Sequence, residues 1–430
     1  MDKNSIEYKT CVSILNEELI PAMGCTEPIA LAYAAAKCRE ILGEKPERVT
    51  LKVSGSIIKN VKSVIVPNTG HMKGIAAAIS AGIVAGKAAK KLEVLSEVSQ
   101  DEIAQIKEFA KNIPIDIVHF EDGHVFDIII TEYCRANSVT VRISDYHTNI
   151  TLIEKNGEVL YEQGKEYELQ EMITDIEILS IESIWNFAMA VDIEDVKGVL
   201  ERQISCNCAI ADEGLNGDYG ANIGKVIIQS GKENVTIRAK AKAAAGSDAR
   251  MNGCEMPVII NSGSGNQGIT CSVPVVIYAE EVGASREQLL RALVISNLTA
   301  IHEKRGIGTL SAYCGAVSAG VGAAAGISYL LGGNYDYYKH TVSNALAIAS
   351  GIVCDGAKAS CAAKIAVALD SAFLAYEMVI NDQIFKGGDG IVASDVERTI
   401  NNIGRLGRDG MKQTNNVIID IMIKNDYQQM

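Results

Sequence analysis

Residues 126–163 read FDIIITEYCRANSVTVRISDYHTNITLIEKNGEVLYEQ, a stretch in which apolar and polar residues alternate almost without interruption. Four runs stand out: FDIIITEY, SVTVRISD, TNITLIEK and EVLYEQ, rich in Ile, Val and Thr and separated by short polar turns. An alternation with period two puts one face of each run in a core and the other in water. The turn Asn156-Gly157 suits a tight hairpin, because both residue types tolerate a positive φ. The stretch is therefore expected to be an antiparallel meander, which IDIVHF (115–120) joins from upstream.

Toward the N-terminus the pattern is mixed. RVTLKVSG (48–55) and VKSVIVP (61–67) read as strands, and helices are expected over Gly74–Leu92 and Asp101–Lys111. Asn4–Leu42 reads as helix with a break at Pro21-Ala-Met-Gly-Cys-Thr-Glu-Pro28. Thr26 is the expected N-cap and Pro28 belongs in the first turn, so Cys25 sits just before a helix start. From Ile184 onward the periodicity turns helical and the composition shifts to Ala and Gly. The expected fold class is α+β: a large helical domain and a smaller mixed α/β domain with an antiparallel sheet. Its segments are residues 1–45, 46–186 and 187–430, since 430 residues exceed the size at which one core usually stops growing.

Composition removes several classes of function. Forty Lys and Arg against 53 Asp and Glu leave a net charge of −13, which repels phosphate backbones and argues against a nucleic-acid partner. The start MDKNSIEYKT has no apolar core segment of the secretory type, so a cytoplasmic location is expected. In a reducing compartment the eleven cysteines are buried hydrophobes, metal ligands or catalytic thiols rather than disulfides. Gly306–Tyr335 carries no charge and is long enough to span a bilayer. It is built of Gly, Ala and Ser, however, and reads as a helix buried in a large core rather than as a membrane span.

Three cysteines of the helical half lie among small residues: Cys314 in LSAYCGAV, Cys354 in GIVCDGAK and Cys361 in KASCAAK. Small neighbours allow backbone to approach a bulky ligand, and thiolates are the usual ligands of iron–sulfur clusters. Three ligands on a cubane leave one iron open as a Lewis acid. Packing is the competing reading, because free cysteines are commonly buried between helices and no C-x-x-C run is present. Cys206-Asn-Cys208 and Cys254 read as packing. Cys25 reads either as a reactive thiolate, its pKa lowered by a helix N-terminus and opposed by Glu27, or equally as a buried loop thiol. Asn261-Ser-Gly-Ser-Gly-Asn-Gln-Gly268, between two apolar runs, offers backbone and side-chain donors suited to a carboxylate or phosphate. Val66-Pro-Asn-Thr-Gly70 is a weaker loop of the same kind. None of the six histidines shows metal-site spacing, and none is given a role.

PAMGCTEPIALA, NVKSVIVPNTG, CNCAIADEG, MNGCEMPVIINSGSGNQGI, LSAYCGAVSAGVGAAAGISYLLGG and GIVCDGAKASCAAKIA together resemble the L-cysteine desulfidase family, related to the α-chain of iron–sulfur L-serine dehydratases. The blocks run in order from Pro21 to Ala366. The resemblance implies a [4Fe-4S] cluster and conversion of L-cysteine to hydrogen sulfide, ammonia and pyruvate. It places cluster ligands on Cys314, Cys354 and Cys361 and the proton acceptor on Cys25. The short spacing from Cys354 to Cys361 favours the desulfidase branch and leaves Cys25 as an alternative third ligand. Asn68 and Thr69, with Asn261, Ser262, Ser264, Asn266 and Gln267, are then expected to hold the amino-acid substrate.

Two other enzymatic functions compete, beside a non-enzymatic membrane or sensor protein built on the Gly306–Tyr335 run. One is an L-serine dehydratase with the same cluster. The other is a pyridoxal-phosphate lyase, with Lys62, Lys242 or Lys358 as Schiff-base lysine. The partners expected are a small amino acid and, as an open option, further copies of the chain; no membrane is expected.

Overall fold

A computed structural model describes residues 1–120, 124–163, 176–230, 234–308 and 310–427. The fold class is α+β. Six strands form one sheet in the order Ile115–His119, Arg48–Val53, Asp127–Cys134, Asn137–Ser144, Ile150–Lys155 and Glu158–Glu162. The last four are the meander, each antiparallel to the next. Asn156 and Gly157 turn between the final two with φ of +54° and +85°, the left-handed pair that a two-residue hairpin requires.

The edge strand Ile115–His119 departs from expectation. It pairs parallel with Arg48–Val53, from Val49 opposite Ile115 to Val53 opposite His119. The reason is the crossover: helices Gly55–Val61, Gly74–Ala85 and Gln100–Asn112 lie between the two strands and return the chain to the same end of the sheet. VKSVIVP is not a strand either. Val61 closes the helix Gly55–Val61, and Ile65 makes a single bridge to Lys73 across a loop in which Asn68, Gly70 and His71 all have positive φ. Its buried Val64 and Val66 satisfy the core without a ladder. The helix expected over Gly74–Leu92 stops at Ala85, where Gly86 is extended, and resumes as a 3-10 turn over Ala88–Glu93.

One face of the sheet, with Leu51, Ile128, Ile130, Val139 and Val141, is fully buried. The helix Thr26–Leu42 lies along it: Cys38 Sγ sits 3.6 Å from the Ile130 carbonyl and 3.7 Å from that of Val139. This helix is sandwiched on its other side by Gly74–Ala85. A Cβ at Gly82 would lie 2.2 Å from the Ala32 carbonyl oxygen, so only glycine permits that approach.

The C-terminal half is helical. Helices Glu194–Asn216, Val235–Met251, Gly265–Glu281, Arg286–Ile307, Gly315–Leu330, Tyr335–Ile348 and Cys361–Ile380 pack at close range. The charge-free run is not one helix: Arg286–Ile307 ends inside it and Gly315–Leu330 begins later, and Thr309 lies outside the described residues. In Gly315–Leu330 every residue from Ala316 to Ser328 is buried. Among the described residues no helix is long and apolar enough to cross a membrane.

A second sheet of two short strands ties the halves together. Pro21–Met23 runs antiparallel to Pro257–Ile259, with Ala22 opposite Val258. Nothing in the periodicity announced it, because three residues are too few to show alternation. It is the element that positions the candidate site.

Candidate active site

The two-stranded ladder delivers two loops to one place. After Met23, Gly24 turns with φ +60° and Cys25 becomes the N-cap residue of the helix Thr26–Leu42. Thr26, the expected cap, is instead the first helical residue, and its Oγ1 donates to the Gly263 carbonyl across 3.0 Å. After Ile259, the loop 261–264 closes on itself through mutual backbone hydrogen bonds between Asn261 and Ser264. Asn261 itself points into the core. Its Nδ2 donates to the Asn297 carbonyl (3.2 Å) and Oδ1 (3.0 Å), while Asn297 is clamped by Gln203. Asn261 thus shapes the loop, whereas Ser262, Ser264, Asn266 and Gln267 line a cavity of about 770 Å³ including its mouth.

Cys314, Cys354 and Cys361 line the same cavity, as does Cys25. Cys314 is the N-cap of Gly315–Leu330 and Cys361 opens Cys361–Ile380. Their loops are zipped together: Cys314 N donates to the Ile352 carbonyl (2.9 Å) and Cys354 N to that of Ala312 (2.6 Å). Gly356 has φ +97°, and a Cβ there would lie 2.3 Å from the Lys59 carbonyl oxygen, so Gly356 is needed for this turn. A hydrogen bond from the Cys314 thiol pulls Cys354 well below the usual thiol range against its burial, and Lys59 helps; the same bond and burial push Cys314 up. Burial pushes Cys361 up. Lys59 Nζ donates to the Cys354 carbonyl (3.3 Å) and to Asn415 Oδ1 (2.7 Å).

Cys25 corrects an expectation. Burial, and then the Glu27 carboxylate, push its thiol well above the usual range, with Arg250 working the other way. The helix dipole is outweighed because desolvating a thiolate costs more than a partial charge at a helix end returns. Cys25 is a thiol that donates to Glu27 Oε2 across 3.1 Å.

Asn68 and Thr69 are likewise corrected: they do not line the cavity. Asn68 Nδ2 donates to the Leu95 carbonyl (2.7 Å) and Thr69 Oγ1 to that of Val66 (2.7 Å), so both side chains staple their own loop. The three lysines proposed for a Schiff base are also elsewhere. Lys242 pairs with Asp212 (2.6 Å), Lys358 with Asp355 (3.3 Å), and Lys62 donates to the Met422 carbonyl.

Five cavity residues escaped the sequence: Glu27 as a participant, Asn60, His147, Arg250 and Lys304. His147 hangs from the turn between two meander strands and is buried, and that burial pulls its pKa below the usual imidazole value. Lys304 is pulled down to about 8 by burial and donates to the Gly308 carbonyl. Arg250 had the one usable signal. It stands alone as a cation in AAAGSDARM, a run of small buried residues where a charge demands a partner.

Among the described residues no three His, Cys, Asp or Glu side chains converge closely enough to hold a single metal ion. A cubane asks for something else, since each cysteine binds a different iron. Three thiols around one cavity, with buried His147 Nε2, Gln267 Oε1 and Arg250 Nε lacking partners, suit a cluster with a polar substrate beside it.

The family model described as serine dehydratase alpha chain matches residues 89–420, a span that includes the three cavity cysteines and Arg250. A UPF0597 protein of Desulfitobacterium hafniense (strain Y51) is 55% identical over 423 residues, 98% of each chain. One of Lachnoclostridium phytofermentans is 49% identical over 416 residues, 97% of this chain and 100% of the other. One of Treponema denticola is 44% identical over 433 residues, 99% of this chain and 100% of the other. These matches extend over Cys25 and Glu27 as well.

Proposed function

We propose that this chain, which belongs to the serine dehydratase alpha-chain family, is a [4Fe-4S]-dependent lyase that eliminates the thiol of L-cysteine. The observation that carries the reading is one cavity lined by Cys314, Cys354, Cys361, Cys25 and the Ser262–Gln267 loop. Cys314, Cys354 and Cys361 would hold the cluster, which when bound supplies a Lewis-acidic iron for the leaving group. Ser262, Ser264, Asn266 and Gln267 hold the polar groups of the amino acid. Cys25 passes its proton to Glu27 Oε2, 3.1 Å away, and its sulfur takes the Cα proton. The Cα–H and Cβ–S bonds break, sulfide leaves as hydrogen sulfide after protonation, and aminoacrylate remains. Its imine tautomer adds water to give pyruvate and ammonia.

Elimination of water from L-serine is the second reading, and the family's description favours it. The same parts would serve, with a hydroxyl as leaving group. Anaerobic purification followed by iron and sulfide analysis, then assays on both amino acids, tests the two. The expected result is about four irons per chain and faster release of sulfide from L-cysteine than of pyruvate from L-serine. Turnover of serine alone would select the second reading; turnover of neither would reject both.

A further inference from the structure

We propose that Arg250 is the receptor for the substrate's α-carboxylate, so that the cavity takes free L-α-amino acids and refuses their amides and esters. The assignment rests on reading the cavity as an amino-acid lyase site.

Arg250 lies in the last turn of the helix Val235–Met251 and is 4% exposed. Its guanidinium has one described hydrogen bond, from Nη1 to Asn266 Oδ1 at 3.1 Å, and that partner is neutral. Nε is buried without a partner, and no carboxylate lies within ion-pair distance among the described residues. Arginine does not deprotonate, so burial cannot be relieved by losing the charge. A buried, uncompensated cation is costly, and an anion entering the cavity would compensate it.

The shape fits a two-oxygen anion. A guanidinium presents parallel N–H donors that match a carboxylate. A Cβ at position 265 would lie 2.3 Å from Nε, so Gly265 leaves bare backbone where the guanidinium rests against the loop. Ser262 and Ser264 stand on the same loop, and Gln267 Oε1, buried and unpartnered, can accept from the substrate's ammonium. The lysine that lines the cavity, Lys304, is already engaged by the Gly308 carbonyl. Glu27 takes hydrogen bonds from Cys25 and Asn60 and leaves Arg250 unclaimed.

The alternative role for Arg250 is as a counter-charge to the thiolates, since it also favours ionised Cys25 and Cys361. Calorimetric titration of the cluster-loaded protein separates the two. The probes are L-alanine, which has no leaving group, and L-alaninamide, which lacks the carboxylate. Wild type should bind L-alanine about 100-fold more tightly than the amide. Arg250→Gln should lose about 100-fold in L-alanine affinity, with iron content unchanged and a melting temperature at or above that of wild type, because a costly buried charge is removed. Arg250→Lys, which keeps the charge but not the fork, should fall between. Asn266→Asp, which sets a carboxylate beside the guanidinium, should weaken L-alanine binding although Arg250 is present.

Arg250→Gln protein that binds L-alanine within threefold of wild type, or wild type that does not distinguish the amide, overturns the assignment. So does loss of iron from both the Gln and Lys variants. If wild type binds L-alanine through Arg250 yet eliminates from neither cysteine nor serine, the lyase reading fails and the carboxylate receptor stands.

Discussion

Cys25 and Glu27 form a buried pair at the first turn of the helix Thr26–Leu42, with Cys25 Sγ donating to Glu27 Oε2 across 3.1 Å. Asn60 Nδ2 donates to the other carboxylate oxygen, also across 3.1 Å, and Thr26 Oγ1 lies 3.2 Å from Oε2. The carboxylate is therefore held in one orientation facing the thiol. A thiol whose proton already points at a fixed acceptor can move that proton without reorganising its surroundings.

Glu27→Gln keeps the shape but replaces the carboxylate by an amide that cannot take the thiol's proton. Turnover is expected to fall about 100-fold with little change in KM and none in iron content. Cys25→Ser should fall further, about 1000-fold, and stop exchange of the substrate Cα proton with deuterated solvent. Steady-state kinetics beside iron analysis checks both. If Cys25→Ser loses its iron while Cys361→Ser keeps it, Cys25 is the third ligand instead.

Replacing Cys314, Cys354 or Cys361 by Ser should each remove most of the iron and the activity together. The hydroxyl is a far poorer iron ligand than a thiolate, and three is already one fewer than a cubane normally takes. Anaerobic iron analysis and visible absorption are the readouts. Full iron in any one of the three removes that residue from the ligand set.

Asp248 links stability to pH away from the cysteines. Its Oδ2 accepts from Gly224 N (3.0 Å), its Oδ1 is buried without a partner, and burial raises its pKa to about 6. A carboxyl with a raised folded-state pKa contributes most below its unfolded pKa, and the contribution is lost as pH rises through the folded one. Stability should therefore fall between pH about 4 and about 6. Asp248→Asn should remove that slope and gain up to about 3 kcal/mol at pH 7, since the side chain is fully buried. Urea midpoints at several pH values measure it; an unchanged slope in the variant would show that other groups carry it.

Gly82→Ala forces a Cβ to within 2.2 Å of the Ala32 carbonyl and must part the helix that carries Cys25 from its neighbour. A loss of about 2–3 kcal/mol is expected, as for other overpacked cores. Chemical denaturation checks it, and a variant as stable as wild type would show that the helix pair yields easily.

The sequence alone determined the elements whose signals are local and repeated. Alternation over residues 126–163, with Asn156-Gly157 between two of the runs, was sufficient for the meander, and the Ala- and Gly-rich periodicity after Ile184 was sufficient for the helical half. Pairing direction was not local: Ile115–His119 became parallel because three helices intervene before it. The site divided the same way. Cysteines among small residues could be picked out one by one, and so could the loop 261–268. Tertiary structure alone decided that Pro21–Met23 would pair with Pro257–Ile259 and bring Cys25 beside that loop. It also turned Asn68, Thr69 and Asn261 away from the cavity and brought His147, Arg250 and Lys304 into it. The physical reason is burial. The pKa of Cys25, the cost of the lone charge on Arg250 and the value of each hydrogen bond depend on how much water the surrounding chain excludes. That depends on contacts between residues up to hundreds of positions apart, which no local pattern encodes.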